Sequence, residues 1–581
     1  MLQFLKYVFA TIVALLLFSI IAIFFLIGLA SSSSKNRSVK LESNAILKIS
    51  FNKEVTDQAQ SSFDPSNFNL SKTPGIRDIV MNIEHAKNDP KIKAAFLDVS
   101  NFPGGFASLE EIRNSLLDFK KSGKPIYAYG ENYSEKAYYL NSVADKLYLN
   151  PEGLLEFNGL SSEYTFYKGA LEKLGIEAQI FRVGKYKSFV EPYTLDKMSE
   201  ANRAQITSYL GSIYSGYIKS IAQVRSYNAD SLFDIANNLK VSQASEALKY
   251  HLVNKLMYRD RVLEELKSLS HSSTLSDIPF ISLSDYSKTY DTESNQGDSR
   301  ISVIYASGDI TGGEGTNKSI GSEQLSRLIR RDRLDKDVKA IVLRINSPGG
   351  SALASDVIWR EVSLASKIKP VVVSMGDVAA SGGYYIACAA SKIFALPNTI
   401  TGSIGIFGII PNTQKFFNEK LGITFDRVNT GKYSDILTVS RPLKEEEKAI
   451  IQNQVNHGYQ SFLDRVATGR KKSKAEIDSI AQGRVWTGEQ AVKIGLVDQL
   501  GGLEDAIKEA AKEAHVKSYY ETYDPEEKSL FQSLLAEGME SIKMDIMEKE
   551  LGKDFQYLDI LKKLKTWSGI QARLLEDIQN P

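Results

Sequence analysis

Apolar and polar positions fall into three successive regimes along the chain. Residues 7–30 read YVFATIVALLLFSIIAIFFLIGLA, an apolar run without a charge. As a helix this run is long enough to cross about 30 Å of hydrocarbon. A cleaved signal peptide has an apolar stretch of only about 7–15 residues, so a retained anchor is expected, while the small residues around Ala30 leave cleavage open. Nothing in the run is amphipathic, which argues against a buried core helix. Lys6 precedes it, whereas Lys35, Arg37 and Lys40 follow, against the positive-inside tendency. Large following domains translocate largely regardless of such charges, so this conflict carries little weight. The next stretch, SSSSKNRS, reads as a flexible stalk.

In the second regime short apolar runs alternate with turns and helix-period segments, and the pattern occurs twice. KIKAAFLDVSNFPGGFASLEEIRNSL, from Lys91, is matched by DVKAIVLRINSPGGSALASDVIWREV, from Asp337. Each reads as a buried strand, a Pro-Gly-Gly turn and a helix. KPIYAYGENYSEKAYYLNSVADKLYLNP, from Lys124, is likewise matched by KPVVVSMGDVAASGGYYIACAASKIFALP, from Lys369. The copies lie about 246 residues apart, and strands alternating with helices predict an α/β fold built of βαβ-type units. The third regime is a charged tail of helical period, including LFQSLLAEGMESIKMDIMEKEL and LDILKKLKTW. Its helices suit either packing on their own domain or contact with a partner. The predicted division is a membrane anchor with a short N-terminus over 1–30, a stalk over 31–44 and an N-terminal repeat over 45–290. A linker over 291–300, a C-terminal repeat over 301–514 and a charged helical tail over 515–581 complete it.

Composition then removes several chemistries. Among 581 residues, Lys plus Arg number 71 and Asp plus Glu 70, a net charge of +1 with no bulk attraction to nucleic acid. Hydrophobic residues at 43% and charged residues at 24% describe a globular chain. The one cysteine, Cys388, excludes an internal disulfide and a cysteine-based zinc cluster, and its apolar surroundings read as core. His85, His251, His271, His457 and His515 show no ligand spacing, so no metal is expected and a histidine mechanism is not the first to seek.

The chemistry lies where the copies differ. In GDVAASGGYYIACAA, Ser381 follows Ala379 and Ala380 and precedes Gly382 and Gly383 at the start of a predicted helix. A tight turn with little side-chain bulk presents a nucleophilic hydroxyl, although the same serine also suits a helix N-cap. The Gly-Gly pair of INSPGGSA, residues 345–352, offers backbone N–H groups that could join those near Ser381 as an oxyanion hole. By itself, Pro-Gly-Gly is equally a plain turn. The first copy keeps Pro103, Gly104 and Gly105 but has Glu135 opposite Ser381. Aligning GKYKS with GKYSD puts Lys187 opposite Ser434, while Lys185 stays matched by Lys432. Each repeat therefore keeps a different half of a possible Ser–Lys pair. A lysine desolvated by neighbours such as Tyr186, Phe189 and Val190 becomes a neutral amine able to take the serine proton. Without the repeat comparison, Lys187 would read as a solvated surface charge.

Together NSPGG, GDVAASGGYYIA, TGSIGIFG (401–408), YKSFVEP and GRVWTGEQAVKIGLVDQLGG (483–502) resemble the protease IV family, the long tandem-repeat form of bacterial signal peptide peptidase A. The resemblance spans about 45–513. It implies two tandem domains of the Clp protease and crotonase type, and a serine endopeptidase that degrades cleaved signal peptides. It further implies a single-pass anchor in the bacterial inner membrane, a body facing the periplasm, a bowl-like homotetramer and no cofactor. Carried over by residue, Ser381 is the nucleophile, Lys187 the general base, and Gly349, Gly350 and Gly382 the oxyanion donors. Tyr384, Tyr385 and Ile404 are expected to line the substrate site, with small or aliphatic residues preferred at the cleaved position. The alternatives are a non-catalytic membrane-tethered scaffold of the same fold and a crotonase-like acyl-CoA enzyme.

Overall fold

The structure, a computed structural model, describes residues 39–64, 69–290, 297–316, 319–525 and 569–574, with scattered positions between 4 and 18. The apolar run over 7–30 lies largely outside the described residues. Among those described, no helix is long and apolar enough to cross a membrane. The two tail segments expected as helices also lie outside them.

Each repeat is built on a parallel sheet whose strands are near-continuous apolar runs, as both faces of such a sheet are covered. In the first repeat six strands stand in the order Lys255–Leu256, Lys146–Leu149, Ile126–Gly130, Ile92–Leu97, Ala45–Ile49 and Phe280–Ser282. All five pairings are parallel. In the second repeat the central strands are Ile400–Gly402, Val371–Ala380, Val338–Ser347 and Ser299–Ser307. Two findings refine the expected boundaries. Strand Ser299–Ser307 begins inside the segment read as linker. The described parts of the tail are strands, not helix: Tyr519–Asp524 extends the second sheet parallel to Ser299–Ser307, and Gly569–Arg573 enters another sheet altogether.

That other sheet joins the repeats. It has seven strands, ordered Gly315–Thr316, Ser319–Gly321, Asp309–Thr311, Gly349–Ser351, Gly569–Arg573, Ile406–Asn412 and Glu177–Val183. The last belongs to the first repeat, yet it pairs antiparallel with Ile406–Asn412 along its full length, from Val183 opposite Ile406 to Glu177 opposite Asn412. Elsewhere the repeats are locked by buried charge. Arg344, 1% exposed, donates to Asp57 at 2.8 Å and to Glu111 at 2.8 and 3.2 Å. Asn398 donates to Glu110 across the same boundary at 2.8 Å.

Candidate active site

Ser381 stands where strand Val371–Ala380 turns into helix Gly382–Ala387, with φ 55° and ψ −111°. A non-glycine residue rarely adopts this backbone, and such strain persists only where the surroundings impose it. Here the Ser381 N–H donates to Gly402 O at 2.8 Å, and its carbonyl accepts from Tyr385 N at 2.8 Å. The following glycines are required by space. A Cβ on Gly382 would stand 2.7 Å from Ser355 Oγ, and one on Gly383 2.7 Å from Ser347 O.

Lys187 arrives from the first repeat. Strand Glu177–Val183 carries the chain to the second repeat, and Gly184, at φ 107°, turns it against Gln482. Tyr186 N donates to Gln482 O at 2.8 Å, and the Phe189 ring stacks on Phe407 at 4.6 Å. The side chain is thereby buried, 1% exposed. Lys187 Nζ lies 2.7 Å from Ser381 Oγ and 3.0 Å from both the carbonyl and the hydroxyl of Ser403. Burial pushes its pKa well below that of an ordinary lysine, since the charged form loses its hydration. In the neutral form that burial favours, the amine can divide its groups among these three partners. Two N–H groups can then serve the two Ser403 oxygens while the lone pair faces the Ser381 hydroxyl.

The Gly-Gly turn closes the site from a third side. Gly349 and Gly350 have φ of 105° and 156°. A Cβ on Gly349 would stand 2.7 Å from Gly382 N, so these two expected oxyanion residues are brought together beside Ser381, whereas a Cβ on Gly350 would face the Ile310 backbone at 2.1 Å. Tyr384, Tyr385 and Ile404 are all buried in the apolar cluster beneath. Their polar groups are committed: Tyr384 OH donates to Leu496 O, Tyr385 OH to Asp356, and Ile404 O accepts from Gly483 N. Cys388 is also buried there, its thiol pushed up to about 12 by desolvation. Among the described residues no three His, Cys, Asp or Glu side chains gather so as to hold a metal ion.

Three contributors escaped sequence reading. Ser403, with φ 51°, falls within TGSIGIFG, but a serine on a short strand end carries no sign of which amine it meets. Gly483 opens GRVWTGEQ, and a Cβ there would press within 2.6–2.8 Å of Lys187 N, Cβ and Cα. Gly405 likewise approaches Lys187 Cδ. The glycine spacing within these motifs was the available signal.

Comparison with known proteins agrees with this arrangement of two related units. Residues 118–273 and 363–517 match peptidase family S49, and residues 292–401 match Clp protease. The chain is 40% identical over 468 residues to Protease 4 of Salmonella typhi, covering 79% of this chain and 75% of that protein. It is 33% identical over 545 residues to the chloroplastic serine protease SPPA of Arabidopsis thaliana, covering 92% and 78%. A putative signal peptide peptidase SppA of Enterococcus faecium is 38% identical over 186 residues, covering 32% and 54%.

Proposed function

We propose, from the premise that the chain belongs to peptidase family S49 and is a serine peptidase of Clp-like α/β fold in tandem repeat, that Ser381 is its nucleophile and Lys187 its general base. The observation that carries this reading is the 2.7 Å contact between Lys187 Nζ and Ser381 Oγ across the two repeats. The neutral amine takes the hydroxyl proton as Oγ attacks the scissile carbonyl. Backbone N–H groups of the Gly349–Gly350 turn and of Gly382 receive the developing oxyanion. The ammonium then protonates the leaving amine, and water hydrolyses the acyl-enzyme with Lys187 again as base. Two Ser403 oxygens hold the amine in register throughout.

The substrates are peptides, cleaved signal peptides among them, in keeping with the name of the Enterococcus relative. The charge-free run over 7–30 anchors the chain in the bacterial inner membrane with its body in the periplasm, and the assembly is a homotetramer. No observation favours the scaffold or the acyl-CoA reading. A fluorophosphonate probe should label the wild-type chain at Ser381, and Ser381→Ala and Lys187→Ala should each abolish cleavage of casein and of a synthetic signal peptide. Full cleavage by Lys187→Ala would remove the dyad and leave the serine peptidase standing.

A further inference from the structure

Helix Glu200–Arg225 of the first repeat carries a side chain that touches both halves of the site. Gln205 on this helix is buried, 2% exposed. Its Nε2 donates to Tyr186 O at 3.1 Å and Ser188 Oγ at 3.0 Å, the residues on either side of Lys187. Asn202 Oδ1, on the same helix, shares these donors at 3.0 Å. At the other end of the amide, Oε1 accepts from Val485 N of the second repeat at 3.3 Å. Tyr186 O can only accept and Val485 N can only donate, so these partners fix which way the amide points.

Both contacts lie one step from the reacting atoms. The Tyr186 carbonyl belongs to the peptide unit that ends in Lys187 N, and that N–H donates to Gly184 O at 3.3 Å. The plane from which the Lys187 side chain departs is thus held on both edges. Val485 stands opposite Gly402 in an antiparallel pair. Gly402 O accepts from Ser381 N at 2.8 Å, and Arg484 O accepts from Ser403 N at 2.7 Å. A single amide therefore ties the backbone of the amine to the strand that seats its partners. A carboxylate there would lack the donor, and an ammonium or guanidinium would lack the acceptor. The copies diverge accordingly. The equivalent helix, Glu445–Arg470, also has 26 residues, and its residue matching Gln205 is Ile450. The repeat that kept the lysine has an amide at this position, and the repeat that lost it has a hydrocarbon.

We propose that Gln205 is a positioning residue for proton transfer between Ser381 and Lys187, a role that rests on the dyad reading above. It touches neither reacting atom, and it acts by fixing where Lys187 Nζ stands relative to Ser381 Oγ. Without the amide, the lysine loop loosens against the second repeat and the 2.7 Å contact lengthens. A misplacement of about 1 Å costs about 10²-fold in rate. Water also reaches the amine and favours the ammonium. The groups around Nζ, the Ser381 and Ser403 hydroxyls and the Ser403 carbonyl, carry no charge to oppose this. Because the base works as the neutral amine, the rising limb of the pH profile then moves to higher pH.

The test is steady-state peptide hydrolysis against pH by the detergent-solubilised full chain, with Lys187→Ala assayed beside it. Gln205→Met keeps the length of the side chain without its polar end. It should lower kcat about 10–100-fold, keep KM within about 2-fold and shift the rising limb to higher pH. Ser188→Ala removes one acceptor alone and should shift the limb the same way, with a loss in kcat of about 2–3-fold. It decides the question should Gln205→Met fail to fold, and an unmoved limb in Ser188→Ala would then overturn the proposal. Native kcat in Gln205→Met beside an inactive Lys187→Ala overturns the role of Gln205 and leaves the dyad intact. Full activity of Lys187→Ala overturns both. A loss in Gln205→Met that falls on KM, or that leaves the limb unmoved, makes Gln205 a packing residue and overturns its positioning role.

Discussion

The two Pro-Gly-Gly turns are copies of one another and now do different work. In the second repeat, Gly349 stands against Gly382 beside Ser381, with the backbone of the separate strand Gly569–Arg573 laid along the turn. In the first, the equivalent space is filled. Lys136, which takes the place of Gly382, donates to Gly104 O at 3.0 Å, and desolvation lowers its pKa to about 8. Glu135, in the place of Ser381, accepts from Asn158 N and Gly159 N at 2.8 and 2.7 Å. Asp377 of the second repeat reaches into the first: it accepts from Ser108 N at 2.9 Å and from Ser108 Oγ, and a Cβ on Gly105 would fall 2.1 Å from its carboxyl carbon. The first turn has become a docking socket, whereas the second adjoins Ser381 and Lys187. Duplication supplied two such turns, and the boundary between the copies consumed one while placing the first repeat's lysine in the other.

The sharpest way to break this comparison is to disable each half in turn. Ser381→Ala and Lys187→Ala should each lower kcat on peptide by at least about 10³-fold, and the double variant by little more, since members of one catalytic unit are not additive. Lys136→Ala and Glu135→Ala, at the equivalent first-repeat positions, should keep turnover within a few-fold. Steady-state peptide hydrolysis of the four variants checks the asymmetry, and a large kinetic loss in Lys136→Ala would contradict it. Next in size is the lock between repeats. Arg344→Met leaves Asp57 and Glu111 buried without their cation and should cost roughly 3–5 kcal/mol. Thermal unfolding would register it as a lowered Tm, with loss of activity as the halves of the site part.

A third prediction concerns the turns themselves. Gly349→Ala places a methyl against Gly382 N and adopts φ 105°, so activity should fall about 10²-fold. Gly104→Ala meets only the edge of the Phe102 ring, at 2.7 Å, and should change stability by less than about 1 kcal/mol with peptide turnover preserved. Equal kinetic damage from the two substitutions would mean the first turn is still part of a site.

Much of this was legible before any coordinates. Buried apolar runs followed by Gly-rich turns announce strands feeding helices, and the complementary loss of Ser381 and Lys187 between copies singles out both residues. Pairing partners were not legible. The segment EAQIFRV reads as a strand, but nothing in it says that it leaves its own repeat for Ile406–Asn412, because edge selection depends on which backbone groups the rest of the fold leaves open. GIQAR, residues 569–573, is too short to alternate visibly and sits beyond a tail whose period is helical. Ser403 is one of many serines, and only the arrival of Lys187 gives its hydroxyl a role.

Ser403→Ala tests that role at the finest scale. Its hydroxyl and carbonyl both accept from Lys187, and accepting groups favour the ammonium form. In the native site desolvation dominates, so the pKa stands well below the ordinary lysine value. Below that depressed pKa the ammonium has no lone pair for the Ser381 proton, and above it the amine is free. The peptide hydrolysis rate should therefore rise with pH through the depressed pKa and level off above it. Removing the Ser403 hydroxyl withdraws one acceptor, lowers the pKa further and shifts the rising limb to lower pH. It also frees the amine to rotate, so plateau kcat should fall about 10-fold while KM stays near its native value. Ser403→Thr retains the oxygen and should restore most of both. A plateau loss without movement of the limb would leave Ser403 a packing residue, whereas a shift of the limb to higher pH would mean that its hydroxyl acts as a donor to the amine and that the proton inventory of the site must be reversed.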